Sequence, residues 1–225
     1  MLYAFDSSIK DEIRIGKTRK YRAYFLIKRL SDIFASIFAM LFFLPIFLIV
    51  FGFLLIHDGG PVIYRHRRIG RGGRPFDCFK FRTMRRDADR VLAELLSADP
   101  CARREWEQQH KLRNDPRIHR LGRFLRMSSL DELPQFFNVL RGEMSIVGPR
   151  PIVEAEIPRY GERIYDYLSM TPGITGLWQV SGRSDTSYQH RVDLDSRYRE
   201  TCSLLLDLKI ICRTVIVLLF ERNGC

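Results

Sequence analysis

Between Ile33 and Ile56 the chain carries no charged residue, a run that few soluble folds absorb. As one helix it would extend about 36 Å, enough for a hydrocarbon core about 30 Å thick. A secretory signal fits poorly, because its apolar region is shorter and a small-residue cleavage site should follow it. Pro45 falls near the middle and divides the run into halves of roughly 18 Å, each too short to cross. Basic residues flank both ends: Lys20, Arg22, Lys28 and Arg29 precede the run, and Arg65, Arg67, Arg68, Arg71 and Arg74 follow it. The positive-inside rule assigns both flanks to one face, which a re-entrant helix satisfies. A kinked spanning helix is the alternative, since proline is common in such helices, and the residues alone leave the two open. On local sequence alone, replacing Pro45 with Ala would let the run straighten and cross.

The 225 residues allow one globular domain beyond this segment. A formal net charge of +11 implies an anionic partner: nucleic acid, an acidic membrane surface or a phosphorylated substrate. The five cysteines are scattered without a C-x-x-C pair, so the pattern suggests neither a disulfide framework nor a zinc site, and a reducing compartment follows.

After the turn signal at Asp58-Gly59-Gly60-Pro61, Val62 to Tyr64 reads as a strand, Gly70 to Gly73 as a turn and Phe76 to Thr83 as the return strand. Alternation puts Lys80 and Arg82 on one face of this hairpin and Phe79 and Phe81 on the other. Asp87 to Ser97 and Cys101 to Leu112 read as amphipathic helices separated at Pro100. Arg113 to Arg117 is a turn into a helix rich in arginine, with Arg120, Arg123 and Arg126.

That helix leads to Ser128-Ser129-Leu130-Asp131-Glu132-Leu133-Pro134, where two adjacent acids precede an apolar helix. Ser129-x-x-Glu132 fits a capping box. Pro134 is tolerated only near a first turn, which puts Asp131 and Glu132 at the positive end of the helix. There, beside the arginines, both should stay ionised, suiting a nucleophile or metal ligand better than a general acid. Gly148-Pro149-Arg150-Pro151 presents an arginine suited to phosphate. Thr171 to Trp178 and Ser181-Gly182-Arg183 carry closely spaced glycines that permit backbone approach to a ligand. Leu204 to Phe220 is apolar but interrupted by Asp207, Lys209 and Arg213; it suits a surface-lying helix or one packed on the core.

Taken in order, the proline-interrupted apolar segment, Lys80-Phe81-Arg82-Thr83-Met84, Asn114-Asp115-Pro116-Arg117, Ser129 to Gln135, Gly142 to Pro151, Pro172 to Gly176 and Gly182-Arg183 resemble the bacterial sugar transferase family, the polyprenyl-phosphate hexose-1-phosphate transferases. The likeness is to the small single-domain members that initiate exopolysaccharide synthesis. The resemblance implies an α+β, monotopic membrane protein: a basic tail over 1–29, a re-entrant helix over 30–57, and a cytoplasmic catalytic domain over 58–225 with a β-hairpin, amphipathic helices and an interfacial C-terminal helix.

It also implies transfer of a sugar phosphate from a UDP-sugar to polyprenyl phosphate at the inner membrane, with magnesium required. Asp131 would be the nucleophile and Glu132 the magnesium-positioning acid. Lys80, Arg126, Arg150 and Arg183 would contact phosphates; Arg82 and Asp195 are further candidates. One departure is Leu44, where a serine commonly precedes the family's proline. The competing reading is a membrane-anchored module that binds anionic lipid or nucleic acid, although no helix-turn-helix or RNP pattern supports nucleic acid. Membrane lipids are expected partners on either reading, and neither fixes the sugar nor whether the chain forms a homo-oligomer.

Overall fold

The computed structural model describes residues 19–109, 112, 114–182 and 187–220. The apolar run forms two helices, α1 (Arg19–Phe42) and α2 (Leu44–Asp58), bent by 62° at their junction. Pro45 occupies the start of α2, where its missing N–H costs least. Neither helix alone is long and apolar enough to cross a membrane. The outward side of the arm is apolar, with Phe34 and Phe38 each 70% exposed. A surface of that kind calls for a non-aqueous neighbour.

The inner side of α1 is polar and bound to the rest of the chain. Helix α1 starts inside the stretch read above as basic tail. Lys28 Nζ donates to Asp207 at 2.8 Å, and both groups are buried. Asp207 also accepts from the hydroxyls of Tyr24 at 3.0 Å and Tyr198 at 2.6 Å. Asp32, buried, accepts from Ser145 Oγ and from the Ile146 N–H. Arg29 donates to the carbonyls of Val139 and Leu140 in the last turn of the helix that ends at Arg141.

Strands β1 (Ile63–Ile69) and β2 (Pro75–Phe81) pair antiparallel as the predicted hairpin, with Tyr64 opposite Lys80 and His66 opposite Cys78. Phe81 meets Val50, Leu54, Val62 and Leu125 in a core that seats α2 on the hairpin. On the other face, Phe76 and Cys78 pack with Val139 and Met144. Helices α3 (Ala88–Ala98) and α4 (Pro100–Gln109) follow, with Pro100 opening the second helix. Then come α5 (Arg120–Met127), a 3-10 turn at Leu130–Glu132, α6 (Gln135–Arg141) and the short strand β3 (Ser145–Val147). Helices α7 (Ile157–Tyr160) and α8 (Ile164–Ser169) precede β4 (Gly173–Thr175), which runs parallel to β3. Helix α9 (Leu177–Val180), α10 (Tyr188–Thr201) and α11 (Leu204–Phe220) complete the described chain. The result is a mixed α and β domain carrying a bent apolar arm.

Helix α11 buries Asp207, Ile210 and Val217 and leaves Leu205, Leu208, Val215, Leu219 and Phe220 exposed. The packed reading holds for one side of the helix. One side packs on the domain, and the opposite side remains apolar.

Gly173 and Gly176, expected to admit a ligand, instead admit the backbone of Gly148. A Cβ on Gly148 would sit 2.3 Å from Thr171 O, and one on Gly173 would sit 2.1 Å from Gly148 N, so these residues let β3 and β4 close on each other. Gly122 does the same for α5, where a Cβ would lie 2.0 Å from Thr83 O. Gly122→Ala is expected to force α5 off the hairpin. It should cost about 1 to 3 kcal/mol, read as an earlier thermal unfolding transition.

Candidate active site

The acids sit on the 3-10 turn between α5 and α6, ahead of the helix, as the proline requires. The predicted capping box does not form. Ser129 adopts a left-handed backbone with φ of 56° and makes no side-chain cap, and Glu132 reaches across to the hairpin instead. A positive φ is unusual outside glycine, and its position two residues before Asp131 puts backbone strain beside the acid pair.

Lys80 Nζ lies 2.6 Å from Glu132 Oε1. Asn138 fixes that meeting. It is fully buried on α6, accepts from the Phe79 N–H at 3.0 Å, and donates to Asp77 O and to Glu143, each at 2.7 Å. The strand is thus clamped on either side of Cys78, next to Lys80. From the opposite side, the Arg126 Nε donates to Thr83 Oγ1 at 2.8 Å. A lone polar residue among the apolar positions of α6 was the only sequence trace of Asn138.

The two acids differ in their protonation. Burial pushes Asp131 up to about 6; the neighbouring Glu132 adds to this, while Lys80 and Arg126 pull the other way. This corrects the expectation that the arginines would hold Asp131 low, since desolvation outweighs them. Burial also acts to raise Glu132, but the charge and hydrogen bond of Lys80, with Arg150 and Gln135, hold it below the usual carboxylate range. The pair therefore couples a firmly ionised glutamate to an aspartate of raised proton affinity, a separation of roles common in catalytic carboxylates.

Other predicted residues distribute unevenly. The Arg150 guanidinium lies 5.7 Å from the Trp178 ring centroid and its charge acts on Glu132. Arg191 shares that ring at 5.0 Å, and its NH2 donates to Arg150 O at 3.4 Å. Asp195 does not join the acid pair. It is buried on α10, accepts from Tyr160 OH at 2.8 Å, and lies 3.9 Å from Arg191 Nε, with burial pushing it up to about 6. Its contacts hold the arginine that flanks Arg150. The Arg82 N–H donates to Val62 O, and its side chain makes no hydrogen bond or ion pair among the described residues. Arg183 lies outside the described residues.

Sequence reasoning missed His66 and Arg68 as part of this cluster. Arg68 NH2 and His66 Nδ1 are 3.1 Å apart, and Arg68 NH1 lies 3.7 Å from Glu156 and donates to Pro151 O at 3.1 Å. Burial, then the charges of Arg68 and Lys80, lower His66 to about 4, so it is neutral at physiological pH. The alternation Tyr64, His66, Arg68 on β1 was the available signal.

A magnesium ion needs few protein ligands, commonly one or two carboxylates with phosphate and water oxygens supplying the rest. Glu132 could serve as one such carboxylate. No group of three or more His, Cys, Asp or Glu among the described residues is arranged as a metal cage. The ionised Glu132 fits magnesium in that sparse mode, sharing its carboxylate with Lys80.

A family model described as bacterial sugar transferase matches residues 23–221. The chain is 46% identical over 224 residues to the UDP-galactose-lipid carrier transferase of Erwinia amylovora, covering 100% of this chain and 46% of that protein. It is 49% identical over 212 residues to the undecaprenyl-phosphate galactose phosphotransferase of Salmonella typhimurium, covering 94% and 44%. Against the exopolysaccharide production protein ExoY of Sinorhizobium fredii the identity is 48% over 197 residues, covering 88% and 87%. The chain thus spans less than half the length of the first two relatives and most of the third.

Proposed function

Because the chain belongs to the bacterial sugar transferase family, we propose that it moves hexose-1-phosphate from a UDP-sugar to a polyprenyl phosphate such as undecaprenyl phosphate, releasing UMP, in the first membrane step of exopolysaccharide synthesis. The observation that carries this reading is the buried Asp131 beside an ionised Glu132, with Lys80, Arg126 and Arg150 acting on the pair. Phosphoryl transfer needs such a set: an anionic oxygen to attack, and fixed positive groups where charge develops.

In the proposed reaction, a carboxylate oxygen of Asp131 attacks the phosphorus that bears the sugar. The new oxygen–phosphorus bond replaces the one to UMP, which leaves with the bridging oxygen and its electron pair. An oxygen of polyprenyl phosphate then attacks the same phosphorus and returns Asp131 to its carboxylate. Lys80 and Arg150 stabilise the diphosphate oxygens while the leaving phosphate gains charge. Magnesium, held by Glu132, would supply a Lewis acid for those oxygens.

The same contacts support a re-entrant arm. Lys28, Arg29 and Asp32 bind Asp207, Val139, Leu140 and Ser145, all in the domain that follows the arm, so the start of α1 shares a face with that domain. A straight spanning helix would separate them. The face is then the cytoplasmic one, where a soluble nucleotide sugar and a lipid phosphate both have access.

A panel of UDP-sugars with undecaprenyl phosphate and magnesium tests the proposal. UMP release is expected with UDP-galactose or UDP-glucose and dependent on the lipid for turnover. No UMP from any sugar in the panel would overturn it. Trapped label on the protein from a UDP-sugar without lipid, with ping-pong kinetics, is the expected mark of the Asp131 intermediate.

A further inference from the structure

A cleft of about 730 Å³ lies between α1, the tip of the hairpin and the end of α6; Phe76 and Met144 line it, and Lys80 and Glu132 do not. That volume is typical of ligand sites. Its floor is apolar, from Phe25, Phe76, Met144, Leu168 and Met170, and its basic rim includes Arg71, Arg74 and Arg141. The two acids that also line it are already engaged: Asp32 accepts from Ser145 and Ile146, and Glu143 accepts from Asn138. Lys28 and Arg29 are likewise spent on Asp207 and on the end of α6. By contrast, the side chains of Arg71, Arg74 and Arg141 make no hydrogen bond or ion pair among the described residues; Arg71 lies only over the Phe25 ring and Arg141 over Phe79 and Phe137. Guanidiniums without side-chain partners of that kind at the rim of an apolar floor suit an anion with an apolar body. The α1 residues beside the cleft, Leu26, Ile27 and Leu30, are exposed and apolar, leading into the bent arm.

We propose that this cleft binds the phosphate headgroup of an acidic membrane lipid, with Arg71, Arg74 and Arg141 on the phosphate and the first part of the tail along Phe25 and the outer face of α1. The site lies apart from the acid pair and does not depend on the transfer reaction. Its effect is to fix the depth and tilt at which the domain meets the bilayer, since the hairpin tip and α1 are held through the same headgroup.

The test uses the full chain in neutral detergent micelles, doped with phosphatidylglycerol or with phosphatidylcholine. Phosphatidylglycerol is expected to raise the unfolding temperature above the phosphatidylcholine value. The double variant Arg71→Glu, Arg74→Glu should weaken its binding about tenfold or more while unfolding normally in phosphatidylcholine. Arg71→Gln, Arg74→Gln should give an intermediate loss, which covers a failure of the first variant to fold. Arg65→Glu, Arg67→Glu, a charge-matched pair on the same hairpin outside the cleft, should keep most of the effect. Equal losses in the two glutamate pairs would overturn the site in favour of diffuse surface charge. A shift of the same size from inorganic phosphate alone would overturn the lipid as its ligand.

Discussion

Asp131→Asn is expected to lower lipid-dependent UMP release by about a thousandfold or more, and at the same time to make the protein more stable. The loss follows because an amide is no nucleophile toward phosphorus. The gain follows from burial, which moves the Asp131 carboxyl from 3.8 to about 6 in the folded chain. A carboxyl whose folded value is raised binds its proton more tightly when folded, so its favourable contribution is complete below about pH 4 and is lost as pH rises through about 6. Above that range the metal-free wild type carries a desolvation cost of at most about 3 kcal/mol, which asparagine avoids. Thermal unfolding without magnesium should therefore show the variant ahead by about 6 °C at pH 7.5 and little different at pH 4. Equal stability at both pH values would mean that Asp131 is not desolvated. Near-normal UMP release would remove it from the chemistry. Membrane association should be unchanged, because the arm is anchored elsewhere.

Cysteines introduced at Lys20 and at Gly72 are expected to react with an impermeant thiol reagent from one face of the membrane only, and to keep doing so when Pro45 is replaced by Ala. The second half of this expectation runs against the sequence alone, which makes Pro45 the reason for the bend. Removing the proline recovers about 3 kcal/mol in a helix interior. Straightening across the bilayer would break the buried Lys28–Asp207 pair, which by itself costs about 3 to 5 kcal/mol when one charge is left behind. It would also release Asp32 from Ser145 and Ile146, uncap α6 at Val139 and Leu140, and carry a basic flank across the membrane. The tertiary anchors therefore outweigh the proline. Labelling of the Lys20 position from the opposite face in wild type would overturn the re-entrant arm and leave the assignment of Asp131 intact. Crossing in the Pro45→Ala variant alone would show that the proline, and not the anchors, sets the bend.

Features written in short-range pattern were legible in the chain itself. The uncharged run, its break at Pro45 and the basic flanks define a bent apolar arm, because helix length and proline geometry are local properties. Alternation and glycine spacing defined the hairpin, and Pro134 put Asp131 and Glu132 ahead of a helix. What each charged residue does was decided by tertiary structure. Asp207 looked like an interruption of an apolar helix and is the buried partner of Lys28, Tyr24 and Tyr198. Glu132 looked like a helix cap and pairs with Lys80, 52 positions away in sequence. Gly173 looked open to a ligand and is filled by the backbone of Gly148. Asp131 looked firmly ionised among arginines and is held near 6 by burial. The physical reason is common to all four. Secondary structure responds to neighbours within a turn or two, whereas the energy of a charge or the space beside a glycine depends on which distant segments exclude water from it, and only the assembled fold determines those.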